Sequence, residues 1–378
     1  MQKILFTEVE ELRKRIIPDP SKFKNAAKYM SRLGLFCTSD RPSQEIPTED
    51  FEEIPDLAAK DGALVTDGAG YIRLSLATQL FDHLEEPRPV PSAFQFRCRG
   101  LKGVLVVLPD EHTVFEGHRG KILYRPSQEK FASVHTVMGI VKEAKVHRVT
   151  LNRESINLLE SLYLSRKAKE QWNLPNVLVE KQEAFLEEAA LFLEYSTDAA
   201  RELSKFVEPK ELERIKAAFD LVTEPHFFRL LRSCHRIGVS DLCKRANLPI
   251  KDGCLVLGIP DYSGRLATDQ IFLKIPADEA NSGGVDRVIL GPVIIYRNPC
   301  LHPGDIRLVT AVDVPELHLT PSVVVLPAET ADYSLAASCS GGDLDGDQFS
   351  VIWDAELVPP AHLCQQPCDY DALPGRVS

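Results

Sequence analysis

The segment CSGGDLDGDQFSVIWD (339–354) carries three aspartates within five residues and continues into an alternating apolar run. Neighbouring carboxylates raise one another's pKa unless a cation lies among them. In an extended strand, residues i and i+4 lie about 13 Å apart, whereas oxygens that share one Mg²⁺ lie within a few Å of each other. Asp343, Asp345 and Asp347 are therefore predicted to lie on a curved loop around a divalent cation.

The glycines and apolar residues around these aspartates support such a loop. Gly341, Gly342 and Gly346 can adopt positive φ angles without steric cost, as a tightly curved backbone requires. Phe349 and Val351 alternate with polar residues, which predicts that the loop leads into a strand with one buried face.

Two other interpretations of this segment are open. One is an ordinary Asp/Gly surface turn in front of a strand. The other is a calcium loop of the form D-x-[DN]-x-[DN]-G-x5-E, because Asp354 stands at its twelfth position. Against the calcium loop, the glycine stands fourth rather than sixth, and the flanking sequence indicates a strand and Pro-rich coil rather than helices.

The composition narrows the class of protein. With 378 residues, 44% of them hydrophobic and 26% charged, the chain has the composition of a soluble globular protein with two or three domains. The net charge of −11 disfavours a protein that coats nucleic acid with a generally basic surface, but it is compatible with a local basic channel. Lys and Arg cluster at 97–130 and at 229–236, although a solvated surface would also explain such clusters.

The cysteines and the hydropathy pattern bear on location. Nine cysteines without a C-x-x-C pair predict reduced thiols rather than disulfides or a zinc site. The sequence shows no signal peptide and no run of roughly 20 apolar residues. We therefore expect an intracellular protein of the nucleus or cytoplasm that makes no membrane contact.

Strand-rich segments flank a helical one. The alternating pattern of TDGAGYIRLSL (66–76) and the apolar run KGVLVVLP (102–109) predict strands. From about Leu151 the apolar period is that of helices, with Asn152 as a candidate cap, and KQEAFLEEAALFLEY and KELERIKAAFDL repeat this pattern. Strands return in CLVLGIPD, QIFLKIPA, RVILGPVIIYRNP, SVVVLPAE and FSVIWD, whose spacing predicts a small barrel.

The tetrapeptide HPGD (302–305) predicts a turn. Pro303 and Gly304 suit the two central positions of a type II turn. His302 and Asp305 are expected to brace that turn. Arg297 is expected to pair either with Asp305 or with a substrate phosphate.

Five segments of the sequence occur together in one known family. They are VTDGAGYI (65–72), YRPSQEKF (124–131), LNRESINLL (151–159), YRNPCLHPGDIR (296–307) and CSGGDLDGDQFSVIWD (339–354). In this order, and across nearly the whole chain, they resemble the eukaryotic cell-encoded RNA-dependent RNA polymerases of RNA silencing. Gln128 and Glu154 depart from the Met and Gln expected there.

The resemblance implies a mixed α and β fold, in which two double-psi β-barrels are joined by a helical connector, as in multisubunit RNA polymerase cores. The parts expected on this basis are an N-terminal helical or irregular segment (1–61), a first barrel (62–135), the connector (136–250), a second barrel with the metal loop (251–356) and an irregular, truncated tail (357–378).

The resemblance also implies an activity, namely template-directed nucleotidyl transfer from nucleoside triphosphates to an RNA 3′-hydroxyl. Single-stranded RNA would be the template, and silencing-pathway proteins would be partners. Asp343, Asp345 and Asp347 would bind the catalytic Mg²⁺, or Mn²⁺ in its place. Family members extend further on both sides, so the alternative is a truncated, non-catalytic remnant that binds RNA.

Basic residues would complete the site that the resemblance implies. Lys102 and Lys130 match the family's two lysines of the first barrel and would act in catalysis across the cleft from the metal loop, although exposed lysines without a role are common. The residues expected to bind phosphates are Lys102, Arg125, Lys130 and Arg297.

Overall fold

The computed structural model describes residues 40–84, 90–131, 133, 135–164, 171–203, 207, 209–277 and 284–368, together with Ala26, Tyr29, Met30 and Gly34. Most of the predicted N-terminal segment and the last ten residues of the predicted tail lie outside the described residues. No helix in the described ranges combines the length and the apolar composition that a membrane span needs.

The described part of the chain has two segments rich in strands, and a helical segment lies between them in the sequence. The strands are β1 (Arg41–Glu45), β2 (Phe51–Glu53), β3 (Ala69–Arg73), β4 (Ala93–Cys98), β5 (Leu101–Leu108), β6 (Ile122–Tyr124), β7 (Val137–Glu143), β8 (His147–Leu151), β9 (Leu248–Pro260), β10 (Gln270–Ile275), β11 (Arg287–Val288), β12 (Gly291–Tyr296), β13 (Arg307–Ala311), β14 (Val323–Leu326) and β15 (Gln348–Ile352). The helices are α1 (Leu74–His83), α2 (Arg153–Tyr163), α3 (Leu174–Glu194), α4 (Ser196–Leu203), α5 (Pro209–Ala218), α6 (Pro225–Arg245) and α7 (Leu335–Ser338).

The second β-rich half closes into a barrel. Strands β10, β13, β12, β15, β9 and β14 pair in this order, and β14 pairs again with β10, so that six strands form a closed ring. The β10–β13 and β9–β14 pairs are parallel, whereas the other neighbours in the ring are antiparallel. Closure gives each of these strands a partner on both edges.

The first half repeats this succession of strands. Its sheet runs β1-β7-β4-β5-β3-β6-β2, with β2–β6 and β3–β5 parallel. If β2 to β7 are matched in chain order with β9, β10, β12, β13, β14 and β15, the five pairs among β2 to β7 have the same directions as their counterparts in the closed barrel. In the described residues no β2–β7 pair closes the first sheet, but the shared strand order fits the two double-psi barrels expected from the sequence.

The two sheets share a hydrophobic core. Val104, Val106 and Leu108 of β5 pack in one cluster with Leu257 of β9 and Val325 of β14. Since fully burying one such side chain contributes about 1.5–3 kcal/mol, the shared cluster holds the two halves in a defined relative position.

The prediction of a continuous strand through Leu76 is wrong. Strand β3 ends at Arg73, and α1 begins at Leu74. Leu76 and Leu80 are buried one helical turn apart, so the helical spacing of apolar residues after Arg73 outweighs the short alternation before it.

The helical middle agrees with its sequence pattern. Asn152 caps α2: its side chain accepts a hydrogen bond from the Ser155 backbone N–H at 2.8 Å. Leu159 and Leu162 of that helix are buried. The two repeats of the helical pattern correspond to α3 and α5.

The strands extend beyond the expected limits of the two barrels. Strands β1 and β2 precede residue 62, and β7 and β8 fall within the range assigned to the connector. Sequence inspection also missed β13, whose five residues include only two buried ones. The domain limits stay a prediction, but strands of the first sheet run from Arg41 to Glu143.

Candidate functional site

The three aspartates lie on the loop between α7 and β15, at one end of the closed barrel. Gly341 and Gly346 have positive φ angles of 65° and 128°, which confirms that this loop curves at its glycines. Gly342 is required for a different reason, since a Cβ there would lie 2.8 Å from the Arg297 Cδ atom. Leu344 is buried in the barrel core and anchors the loop between the aspartates.

The curvature brings the three carboxylates together, as predicted. One oxygen from each of Asp343, Asp345 and Asp347 lies within 4.8 Å of the others. The backbone N–H of Asp345 donates to Asp343 Oδ1 at 3.1 Å, and the backbone N–H of Asp343 donates to Asp347 Oδ2 at 3.0 Å. This is a compact set of oxygen ligands of the kind that Mg²⁺ and Mn²⁺ prefer.

Crowding changes the acidity of one member of the set. Burial, followed by the charges of Asp345 and Asp347, raises the pKa of Asp343 to about 7. A carboxyl in such surroundings ionises readily only when a cation compensates its charge.

Two basic side chains reach the other two carboxylates. Lys102 Nζ lies 2.6 Å from Asp345 Oδ2, so the first sheet supplies a cation directly to the metal loop. Arg297 Nε lies 2.5 Å from Asp347 Oδ2. Of the two alternatives for Arg297, pairing with Asp305 is wrong, because β12 and β15 are neighbours and bring Arg297 next to the loop that precedes β15. Its contact with a substrate phosphate stays a prediction.

The first sheet also holds the backbone of the loop. Gln95 Nε2 donates to the Asp345 carbonyl at 2.7 Å, and the Leu344 N–H donates to the Asp67 carbonyl at 2.8 Å. Gly68 lies so close that a Cβ on it would be 2.4 Å from the Asp345 Cβ. The metal loop is therefore clamped between the two sheets.

Lys130 lies beside this group. Its Nζ donates to the Ser127 carbonyl at 2.6 Å, and the Ser127 hydroxyl accepts a hydrogen bond from the Gly68 N–H. Burial raises the pKa of Asp67, while the positive charge of Lys130 opposes that shift. Lys130 precedes β7 as the metal loop precedes β15, so the two segments occupy corresponding positions in the two halves.

Arg125 is not brought to the carboxylates. Its guanidinium is buried, donates to the Pro55 carbonyl and lies 3.4 Å from the Tyr71 hydroxyl. Gln128 bonds to the backbone of Arg125, Gly68 and Val104. The Gln128 side chain therefore fixes the backbone that precedes Lys130, whereas the Arg125 side chain holds Pro55 and Tyr71. Phosphate binding by Arg125 stays a prediction.

The HPGD segment follows Arg297 in the sequence and forms a braced turn of its own. Pro303–Asp305 forms a 3-10 turn, so the prediction of a type II turn is wrong. The bracing is confirmed: His302 Nδ1 accepts from the Gly304 N–H, and Asp305 Oδ2 accepts from two backbone N–H groups. Gly304 is needed because a Cβ there would lie 1.9 Å from the Gln366 carbonyl oxygen.

Sequence reasoning missed the polar residues that clamp the loop. Gln95 could have been identified from the sequence, because it is a single amide side chain between two aromatic residues, Phe94 and Phe96, which are buried in β4. Lys142, whose Nζ lies 3.3 Å from Gln348 Oε1, carries no comparable signal in the sequence.

Comparison with known proteins identifies a family. A family model described as RNA dependent RNA polymerase matches residues 2–377. The chain belongs to the RNA-dependent RNA polymerase family. This family membership confirms the resemblance carried by the five sequence segments.

Individual members of the polymerase family give the extent of the similarity. The "Probable RNA-dependent RNA polymerase SHL2" of Oryza sativa subsp. japonica is 32% identical over 98% of this chain and 31% of its own length. "RNA-dependent RNA polymerase 1" of Schizosaccharomyces pombe is 30% identical over 90% of this chain and 29% of its own length. The chain thus spans about a third of the length of these polymerases.

A solved polymerase structure has the same fold. The "RNA dependent RNA polymerase QDE-1 from Thielavia terrestris" superimposes with a TM-score of 0.74 at 19% identity, over 95% of this chain and 41% of that one. This similarity confirms the expected fold class of mixed α and β structure with paired double-psi barrels.

Proposed function

We propose that this chain carries the catalytic core of an RNA-dependent RNA polymerase that transfers nucleotides from nucleoside triphosphates to an RNA 3′-hydroxyl on a single-stranded RNA template. The observation that carries the proposal is the convergence of three carboxylates from one sheet with Lys102 from the other. In the reaction, the 3′-hydroxyl loses its proton to water and its oxygen forms a bond to the α-phosphorus. The bond from the α-phosphorus to the oxygen that bridges to the β-phosphorus breaks, and pyrophosphate leaves.

Asp343, Asp345 and Asp347 are proposed to hold Mg²⁺, or Mn²⁺ in its place. Three clustered oxygen ligands and the raised pKa of Asp343 both fit a hard divalent cation. When bound, the metal ion supplies activation of the 3′-hydroxyl and compensation of charge on the transferring phosphoryl group.

Lys102, Lys130 and Arg297 are proposed to bind phosphates. Lys102 and Arg297 each contact one of the metal-binding carboxylates, so both cations lie within one side-chain length of any phosphate bound there. A lysine acts as a point charge towards phosphate, whereas the planar arginine can donate two parallel hydrogen bonds. Positioned charges of this kind stabilise phosphoryl transfer without covalent participation of the protein.

We also propose a pathway and a cellular location for the protein. The resemblance to silencing polymerases supports a role in RNA silencing with pathway proteins as partners. The cysteine content supports an intracellular location, in the nucleus or cytoplasm.

The test is incorporation of labelled nucleotide by the purified 378-residue chain with single-stranded RNA and Mg²⁺. Asp345→Asn keeps the size of the side chain but removes a ligand charge, so we expect at least a hundredfold loss of incorporation, on the scale of removing one electrostatic contributor to catalysis. Asp332→Asn is the control, because Asp332 is exposed and pairs with Lys60 away from the loop. Equal incorporation by Asp345→Asn and the parent chain would refute the assignment, and RNA binding without any incorporation by the parent would favour the non-catalytic remnant.

A further inference from the structure

One exposed face of α6 carries a line of basic side chains. Arg229, Arg232 and Arg236 follow one another at helical spacings of three and four residues, and Lys244, eight residues after Arg236, lies about 80° further around the helix axis. At 1.5 Å per residue, this line is about 22 Å long. We call these four residues the α6 ridge.

The ridge is a run of cations on one helix that lack acidic partners among the described residues. Throughout the described ranges, no carboxylate forms an ion pair with any of its four side chains, whereas Lys216 on α5 pairs with Glu213 at 2.8 Å. In a chain with a net charge of −11, four neighbouring cations without acidic partners are a marked local excess. Their mutual repulsion favours contact with a polyanion.

The ridge ends at a basic cavity. The cavity has a volume of about 330 Å³ and is lined by Asn152, Arg153, Glu154, Lys244, Arg245 and Asn247. Arg153 Nη2 donates to the Lys244 carbonyl at 2.8 Å and so joins the start of α2 to the end of α6. The lining holds three cations and one carboxylate, although Arg245 also pairs with Asp241 at 3.6 Å, and its two asparagines add neutral hydrogen-bond donors.

The cavity is connected to the metal loop by two hydrogen bonds. Asn152 Nδ2 donates to Asn298 Oδ1 at 3.3 Å. The next residue, Pro299, accepts a hydrogen bond from the Ser340 hydroxyl at 2.6 Å, and Ser340 lies at the start of the loop that carries the three aspartates. The wall of the cavity and the start of the loop that carries the three aspartates are thus joined through Asn298 and Pro299.

We propose that the α6 ridge and this cavity bind the sugar-phosphate backbone of a single RNA strand on its path to or from the metal centre. The inference rests on the proposed function, which supplies the RNA. Repeated cations without acidic partners suit the repeated charge of a phosphodiester chain and carry no base specificity. The connection to the metal loop favours RNA over an acidic protein partner, which would have no reason to bind there.

The test is binding of poly(U) and of a mononucleotide by the full chain at several salt concentrations, without catalysis. The ridge variant is Arg232→Ala/Arg236→Ala, and its matched control is Arg214→Ala/Lys216→Ala, which removes two exposed cations from α5. Alanine preserves helix propensity in both variants.

We expect the ridge variant to bind poly(U) about fivefold more weakly at low salt. Because each phosphate contact contributes about 0.7 to the salt slope for a single strand, the slope should fall by about 1.4. Lys244→Ala should weaken poly(U) binding in the same direction. Mononucleotide binding should be unchanged in all variants.

Two outcomes overturn the proposal. Poly(U) affinity and salt slope that are the same in the ridge variant and the parent would show that the RNA backbone does not contact α6. An equal loss in the α5 control would show a general effect of net charge. Neither outcome bears on nucleotide incorporation, so the failure of this inference is distinguishable from the failure of the polymerase assignment, which the Asp345→Asn comparison tests.

Discussion

At the residue scale, the three aspartates have unequal surroundings. Asp345 and Asp347 each contact a basic side chain, Lys102 and Arg297 respectively. In the described part of the chain Asp343 forms no ion pair, and its pKa is raised to about 7, chiefly by burial. A bound divalent cation would compensate Asp343 and would compete with Lys102 for Asp345.

This competition leads to a prediction for Lys102→Ala. Without the lysine, Asp345 is a stronger metal ligand, so Mg²⁺ should bind more tightly, while the KM for nucleoside triphosphate should rise because a phosphate contact is lost. The metal-free protein should be less stable by about 2 kcal/mol, since a half-buried charged hydrogen bond is broken. Metal titration, steady-state kinetics and thermal unfolding measure the three effects.

Lys60→Ala is the control for this prediction. Lys60 and Asp332 also form an ion pair at 2.7 Å, but both side chains are exposed. Its removal should cost less than about 1 kcal/mol and leave metal and nucleotide binding unchanged. Weaker Mg²⁺ binding by Lys102→Ala would contradict the competition between lysine and metal.

At the scale of the element, the metal loop depends on two glycines for different reasons. Gly341 has a φ of 65° and open space around it, whereas Gly346 has a φ of 128° and a Cβ there would lie 2.0 Å from Gln95 Nε2. The first angle is accessible to other residues at a cost of about 1–2 kcal/mol, and the second is nearly exclusive to glycine.

Gly341→Ala therefore tests the backbone conformation of the loop, whereas Gly346→Ala also tests the contact between the loop and Gln95. We expect Gly341→Ala to lose about 1–2 kcal/mol of unfolding free energy and to keep Mg²⁺ binding. Gly346→Ala should lose more stability and should bind Mg²⁺ at least tenfold more weakly, because it displaces the hydrogen bond from Gln95 to Asp345. Denaturant unfolding and metal titration measure both, and equal metal affinity in the two variants would contradict this account of the loop.

At the scale of the whole molecule, the sequence predicts those features that depend on residues close to one another along the chain. The spacing of the three aspartates and the apolar alternation after them identify the loop and β15. The pairing of Arg297 with Asp347 could not be predicted, since it depends on β12 and β15 being neighbours in the barrel. The contact of Gln95 with Asp345 joins residues 250 positions apart and requires the relative position of both sheets.

That contact between the sheets can be tested with two conservative substitutions. Gln95 is buried and donates to the Asp345 carbonyl, whereas Gln348 lies 3.3 Å from Lys142 Nζ. Gln95→Glu replaces a donor by a buried carboxylate that faces a carbonyl oxygen of the loop carrying the three aspartates, so it should destabilise the protein by about 2–3 kcal/mol at neutral pH. Gln348→Glu should be tolerated, because Lys142 compensates the new charge.

The pH dependence of Gln95→Glu gives the sharper measurement. Burial and like charge raise the folded-state pKa of the new glutamate above its unfolded value of about 4.3, so the folded state binds a proton more tightly than the unfolded state. The destabilisation relative to the parent is therefore absent below about pH 4.3, grows as the pH rises and is complete above the folded-state pKa. Chemical unfolding of both variants and the parent across this range measures the difference. A penalty that does not change with pH would mean that Gln95 contributes through its shape rather than through its hydrogen bond to Asp345, and the Lys102–Asp345 ion pair and the shared apolar core would then be the main contacts between the sheets.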